Sequence, residues 1–205
     1  MILCLLDIHV LLELKMFSIK STEELKNRVW NENREIIQIN IPEETFPFDD
    51  LYKEIVTKNK TLIISSDFIL YGFNEAADTT RKYSDVFYWD KNTDQDRIKN
   101  FWFIGENSVF DFWIMYINGK IHFLKHDYGD EKFEIDKIVD LEINFENWLR
   151  YAFLNREFEE VLEVFRSEDS DFKYYPENMV MEYIEKIKQM SNKLFETNNS
   201  YWNLP

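Results

Sequence analysis

The sequence predicts a single α+β domain, with an antiparallel sheet flanked by N-terminal and C-terminal helices. Three observations carry that reading. Phe101 to Leu124 contains apolar, aromatic-rich runs closed by Asn118-Gly119, the strongest short turn signal in the chain. After Asn144 the apolar residues recur at helical spacing instead. A helix start at Ser21-Thr22-Glu23-Glu24 lies far upstream of the sheet signals. At 205 residues, of which 45% are hydrophobic and 17% aromatic, the chain can bury a full core without disulfides or metals. The core is expected over about 20–166, with a helical extension over about 167–205.

The elements follow in order. Ser21 and Glu24 form a capping box, and Leu25 and Val29 share one face behind it, which predicts a helix of about three turns. Ile37, Ile39 and Ile41 alternate with polar residues as a half-buried strand does, and Pro42 ends that run. Asp49 caps a short helix with Leu51, Tyr52, Ile55 and Val56 on its apolar side. Thr61 to Tyr71 is β-prone, and Asn74 to Trp89 reads as a helix followed by irregular chain. Phe101 to Ile104 is a strand entering Gly105, Phe110 to Ile117 is a second, and Ile121 to Leu124 pairs back across a type I′ turn at Asn118-Gly119. These make a meander, since a parallel pair needs a long crossover that this spacing lacks.

The last third is helical. Asn144 caps a helix carrying Phe145, Trp148, Leu149, Ala152 and Phe153 on one face, and Phe158, Val161, Leu162 and Phe165 repeat the pattern. Ser167 to Asp171 is a polar break. Pro176 opens a final helix with Val180, Tyr183, Ile184, Ile187 and Leu194, and Asn198 to Pro205 is expected to fray. Trp102, Trp113 and Trp148 are expected in the core.

Little in the chain points to catalysis. There are only four glycines, no Walker loop and no dinucleotide fingerprint, so no cofactor is expected. Asp90 to Asp96 spaces oxygen ligands like the start of a calcium loop. Gln95 and Phe101 stand where such a loop needs glycine and glutamate, so a solvated acidic loop is expected. His122 and His126, with Asp127 and Asp130, have the residue types of a transition-metal site, but no third distant ligand is indicated and no metal is expected. No serine sits in a nucleophile elbow, and the apolar surroundings of Cys4 would raise its pKa.

As the single cysteine, Cys4 excludes an intramolecular disulfide and points to a reducing, cytoplasmic setting. Met1 to Phe17 is apolar but is interrupted by Asp7, His9 and Glu13 and lacks a basic flank. It reads as a core strand or helix, as sequence ahead of a natural start at Met16, or as a membrane-associated segment. No run reaches the roughly 18 apolar residues of a membrane span. The charge is lopsided: 39 acidic residues face 24 basic ones, a net −15. Such a surface repels nucleic acid and anionic lipid and speeds capture of basic partners, although plain solubility is a competing explanation.

One set of residues resembles a known family. Phe103-Ile104-Gly105-Glu106, Asp111 opening an aromatic-rich strand, the Asn118-Gly119 hairpin, the strand into His126-Asp127 and the helix start Ile143-Asn144-Phe145-Glu146-Asn147-Trp148-Leu149 are similar to the SUKH superfamily, the Smi/Knr-like proteins. The resemblance spans Phe103 to Leu149, and more loosely Pro42 to Tyr151. Asn107-Ser108-Val109-Phe110 departs from the family's glycine-rich turn, and Phe48-Asp49-Asp50-Leu51-Tyr52 is a weak counterpart of its Leu-Pro-x-x-Tyr segment. The resemblance implies an α+β fold and, in many bacterial members, an immunity protein that neutralises a toxin, often a nuclease. Other members act as regulatory scaffolds, and no catalytic residues carry over.

The expected function is therefore binding and occlusion of a basic toxin by direct contact, not catalysis. A regulatory scaffold of the same fold is the first alternative. A hydrolase or metal-dependent enzyme using His122, His126 and nearby acids is the second. Two acidic segments are expected to form the grip. One is Asp130, Glu131, Glu134, Asp136, Asp140 and Glu142; the other is Glu157, Glu159, Glu160, Glu163, Glu168, Asp169 and Asp171, opposed by Arg166 alone. Tyr71, Tyr88 and Trp89 are candidate aromatic anchors, with burial in the core as their other reading.

Overall fold

The computed structural model describes residues 16–32, 39, 46–125, 132–164 and 177–202, with the backbone alone for 198–202. Six strands form one sheet: β1 (Leu62–Ser65), β2 (Phe68–Leu70), β3 (Phe101–Glu106), β4 (Phe112–Tyr116), β5 (Lys120–Leu124) and β6 (Ile138–Asn144). They lie in sequence order, and every neighbouring pair is antiparallel. The helices are α1 (Thr22–Glu32), α2 (Asp50–Val56), α3 (Phe73–Tyr83), the single turn α4 (Gln95–Ile98), α5 (Phe145–Val164), α6 (Glu177–Met190) and α7 (Asn192–Trp202). Helices precede and follow the sheet, so the fold is α+β, with a meander at its centre as the sequence predicts.

The expected caps form. The Ser21 amide donates to Glu24 Oε2 at 2.8 Å while the Glu24 amide donates to Ser21 Oγ at 3.3 Å, closing the capping box of α1. Asp49 Oδ1 accepts from the Leu51 and Tyr52 amides at 2.9 and 3.2 Å. Asn144 Oδ1 accepts from the Asn147 amide at 3.0 Å and starts α5. Of the expected strand around Ile37 and Ile41, only Ile39 lies among the described residues. Its amide donates to Thr57 O at 3.0 Å, outside any strand.

Two local expectations need correction, the turn type and the last helix. The hairpin turn is not type I′, because Gly119 has φ +80° while Asn118 is not at positive φ. The Gly119 amide donates to Tyr116 O at 2.8 Å, so a type I turn is closed by a left-handed glycine, the usual solution for a three-residue loop. The run Thr61 to Tyr71 is β-structure as expected, and Ser66 and Asp67 turn it into the β1–β2 hairpin. The last helix is two. Ser191 Oγ donates to Leu141 O of β6 at 2.9 Å and accepts from the Leu194 amide at 3.1 Å. That side chain ends α6, caps α7 and lays α7 along β6, and α7 runs through Trp202 where fraying was expected.

Both faces of β3 and β4 are buried, which explains their unbroken apolar runs. On the inner face Trp102, Ile104, Trp113 and Met115 join one core with residues of α1, α2, α5, α6 and α7. The 20-residue α5 is its strut, packing on α1, α2, α6, β1, β5 and β6. Phe17 belongs to this core beside Phe158 and Tyr183, and Glu182 of α6 accepts from the Met16 and Phe17 amides, both at 3.1 Å. The outer face builds a second, smaller core from Phe101, Phe103, Phe112, Ile114 and Leu124, covered by Trp89, Ile98 and Phe133. Because β2 is short, the start of β3 would be a free edge. Helix α3 covers it, and Thr80 Oγ1 accepts from the Phe103 amide at 3.0 Å. No described helix is long and apolar enough to cross a membrane.

Candidate functional site

The outer layer is built from two segments far apart in sequence. Asp85 Oδ1 accepts from the Phe87 amide at 2.8 Å and starts a 3₁₀ turn, Val86–Tyr88. Trp89 then turns inward, and its indole donates to Tyr83 O at 2.6 Å. A short parallel bridge joins Trp89 to Phe133: the Phe133 amide donates to Tyr88 O, and the Asp90 amide donates to Phe133 O, both at 2.8 Å. This bridge sets Asp90 against the segment that begins at Glu134.

The result is an open cleft of about 310 Å³ lined by Asp90, Asp94, Glu134 and Asp136, with Arg97 as the basic lining residue. The calcium-like loop and the first acidic segment therefore share one site. Asp90 and Asp94 each turn Oδ1 onto a backbone amide, of Asn92 and Asp96 respectively, and Glu134 pairs with Lys137 at 3.2 Å. The Thr93 hydroxyl, also lining the cleft, is buried without a hydrogen-bond partner among the described residues. Nor do those residues include a group of three or more acids, histidines or cysteines spaced to hold a metal ion.

Beside the cleft the 3₁₀ turn presents Val86 and Phe87, the latter 68% exposed. Phe87 meets the Tyr88 ring edge-on at 5.4 Å, and the Lys132 ammonium lies 5.3 Å from its centroid. The sequence reading missed Phe87, which sits between residues of the same character. Nothing local distinguishes it from Trp89, two positions on, which is 1% exposed.

The other expected anchors are placed differently. Tyr71 is buried in the inner core, and its phenol is pushed far upward by burial and by the facing Glu106 carboxylate. Tyr71 and Trp89 are therefore buried and offer almost no surface, while Tyr88 is half-buried against the outer core. Among the expected acids, Glu134 and Asp136 line the cleft, and Asp140 and Glu142 lie exposed on the β6 edge, where Glu142 adopts φ +58° in a bulge. Glu131, like Asp130, Glu168, Asp169 and Asp171, lies outside the described residues. His126 does too. His122 pairs across the sheet with Asp140, and burial pushes its pKa down while Asp140 opposes that shift.

The second acidic segment is not opposed by Arg166 alone. Glu157 pairs with Lys20 at 3.0 Å and Arg28 at 2.6 Å, so its bases come from more than a hundred residues upstream. Glu160 pairs with Arg156 at 2.8 Å, and Arg156 also reaches Glu32 at 2.6 Å. Glu159 accepts from Ser66 Oγ and, at 3.0 Å, from Asn155 Nδ2. Glu163 is exposed near the end of α5 and has a polar interaction of its own. Glu157 thus holds α5 to α1 and is not free for a partner. Glu157→Lys is expected to lower stability by about 2 kcal/mol, between the exposed-pair and buried-pair limits. Glu160→Lys should cost under about 1 kcal/mol, because the pair it breaks is exposed. Equal urea midpoints for the two variants would refute this assignment.

No protein-family model, no curated protein and no solved structure matches this chain. Its class, an α+β domain with a six-stranded antiparallel meander, is defined by the geometry alone.

Proposed function

We propose that the protein is a cytoplasmic immunity-type binding protein of the SUKH kind, which neutralises a basic toxin domain by direct contact. The observation that carries this reading is the acidic cleft with an exposed Val86-Phe87 pair at its side. Lysine or arginine side chains of the partner enter the cleft, and the Thr93 hydroxyl accepts or donates one further hydrogen bond there. Phe87 is desolvated against the partner and supplies the apolar centre that charges alone lack. The net −15 draws a basic partner in and repels nucleic acid. The α+β fold agrees with the family that the central segment resembles.

The test is affinity capture with the full chain in its cell of origin. A matched variant carries Asp90→Asn, Asp94→Asn, Glu134→Lys and Asp136→Lys. A basic polypeptide held by the wild type at low salt and lost by the variant is the expected result. Expressed alone that polypeptide should arrest growth, and co-expression of this protein should restore it. A partner that is harmless by itself would replace the immunity reading with the regulatory scaffold. A toxin captured equally by both forms would move the interface away from the cleft.

A further inference from the structure

A second concavity, of about 220 Å³, lies on the inner, helix-covered face of the sheet. Its walls are aromatic: Phe68, Trp113, Phe123 and Tyr151. The rings hold one another in place. Phe68 stacks on Trp113 at 4.9 Å, Tyr151 meets Phe68 edge-on at 4.8 Å, and Trp113 lies 4.6 Å from Phe123. Val109, nearly half exposed, forms part of the rim.

One lining residue breaks the apolar pattern. Asp67 sits in the β1–β2 turn, which is fixed by Trp113 Nε1 donating to Asp67 O at 3.0 Å. Its carboxylate accepts from Ser66 Oγ at 3.4 Å and lies against the Asn155 amide. Glu159 of α5 and Asp111 of the β3–β4 turn add negative charge around it. Neither Asp67 nor Glu159 has an ion-pair partner among the described residues. An apolar pocket with a partly buried carboxylate that has no ion-pair partner among the described residues selects strongly among ligands. An anion is repelled, and a neutral hydrocarbon leaves the carboxylate uncompensated. A hard metal ion wants six or more oxygens, which these walls do not offer.

We propose that this pocket binds a small organic ammonium ion, with its apolar body among the aromatic rings and its cationic head on the Asp67 carboxylate. Size agrees, because a cavity of roughly 150 Å³ already admits benzene. The electron-rich ring faces add attraction for a cation. Burial, reinforced by Glu159, raises Asp67 from an ordinary 3.8 to about 6, so the carboxylate is ionised at neutral pH and proton-bound at mildly acidic pH. Tyr151, whose phenol burial pushes far upward, stays neutral throughout.

The experiment uses the full chain and three isosteric probes, 2-phenylethylammonium, 2-phenylethanol and 3-phenylpropanoate, in calorimetric or NMR titrations. At pH 7.5 the ammonium should bind at least tenfold more tightly than the alcohol, and the carboxylate most weakly. Lowering the pH to 5 should weaken the ammonium severalfold and leave the alcohol unchanged. Asp67→Asn should reduce the ammonium to the affinity of the alcohol. Val109→Trp, at an exposed rim position, should block both while the circular dichroism spectrum stays that of the wild type. Equal binding of ammonium and alcohol, retention of the preference by Asp67→Asn, or no binding of any probe at millimolar concentration overturns the proposal.

Discussion

Gly105→Ala is expected to destabilise the protein by about 3 kcal/mol, at the upper end of what an added methyl group costs in a packed core. A Cβ at Gly105 would stand 2.0 Å from Ile69 O and 3.1 Å from Ile69 C. Both atoms are backbone, so no side chain can swing aside. The obstacle is β2, whose three residues hold β3 only through Ile69↔Glu106 and Leu70↔Gly105. Pushing β2 away loosens the β1–β2 hairpin and with it the turn that carries Asp67. Gly119→Ala is the control. Nothing lies within 4 Å of a Cβ there, but φ is +80°, so the cost is the left-handed backbone alone, about 1 kcal/mol. Urea unfolding at pH 7 separates the two. A midpoint for Gly105→Ala at or above that of Gly119→Ala would refute the close approach of β2 to β3.

The second large effect is kinetic. Asp90→Asn, Asp94→Asn, Glu134→Lys and Asp136→Lys together should slow association with the basic partner by roughly ten- to a thousandfold at low salt. Asparagine at 90 and 94 keeps the oxygen that caps Asn92 and Asp96 and removes only the charge, so thermal stability should barely change. The salt dependence of the association rate should flatten, because the screened attraction is what the variant loses. Phe87→Ala should behave differently, with a faster dissociation rate and little change in association. Stopped-flow kinetics at two ionic strengths reads both. Wild-type association by the charge variant at low salt would mean that the four acids are only a solvated surface.

Stability against pH carries an independent sign. Asp67 has a folded pKa of about 6, above its ordinary 3.8. The native state therefore holds this proton more tightly than the unfolded chain, and its contribution favours folding below about pH 4 and is lost as pH rises through about 6. Asp67→Asn accordingly raises stability at neutral pH, the trade expected of a residue kept for binding.

What the sequence determined by itself was whatever depends on neighbours along the chain. Ser21, Asp49 and Asn144 cap helices because a side-chain oxygen two or three residues away reaches a free amide. The runs at Phe101 and Phe110 declare strands, and the spacing after Asn144 declares a helix. From these the α+β class and the meander follow. The tertiary structure alone decided everything that depends on meetings at long range. Trp89 and Phe87 are chemically alike in sequence, yet the bridge to Phe133 turns one into the core and leaves the other exposed. Glu157 reads as one acid in an acidic run until Lys20 and Arg28 arrive across α1. Ser191 breaks a helix that its neighbours would continue, because Leu141 O lies within reach of its hydroxyl. The acidic cleft joins residues about forty positions apart, and the pocket at Asp67 joins two turns, four strands and two helices. Local propensity acts through dihedral angles and single turns, whereas a site is a coincidence of segments, and only the packed chain brings those segments together.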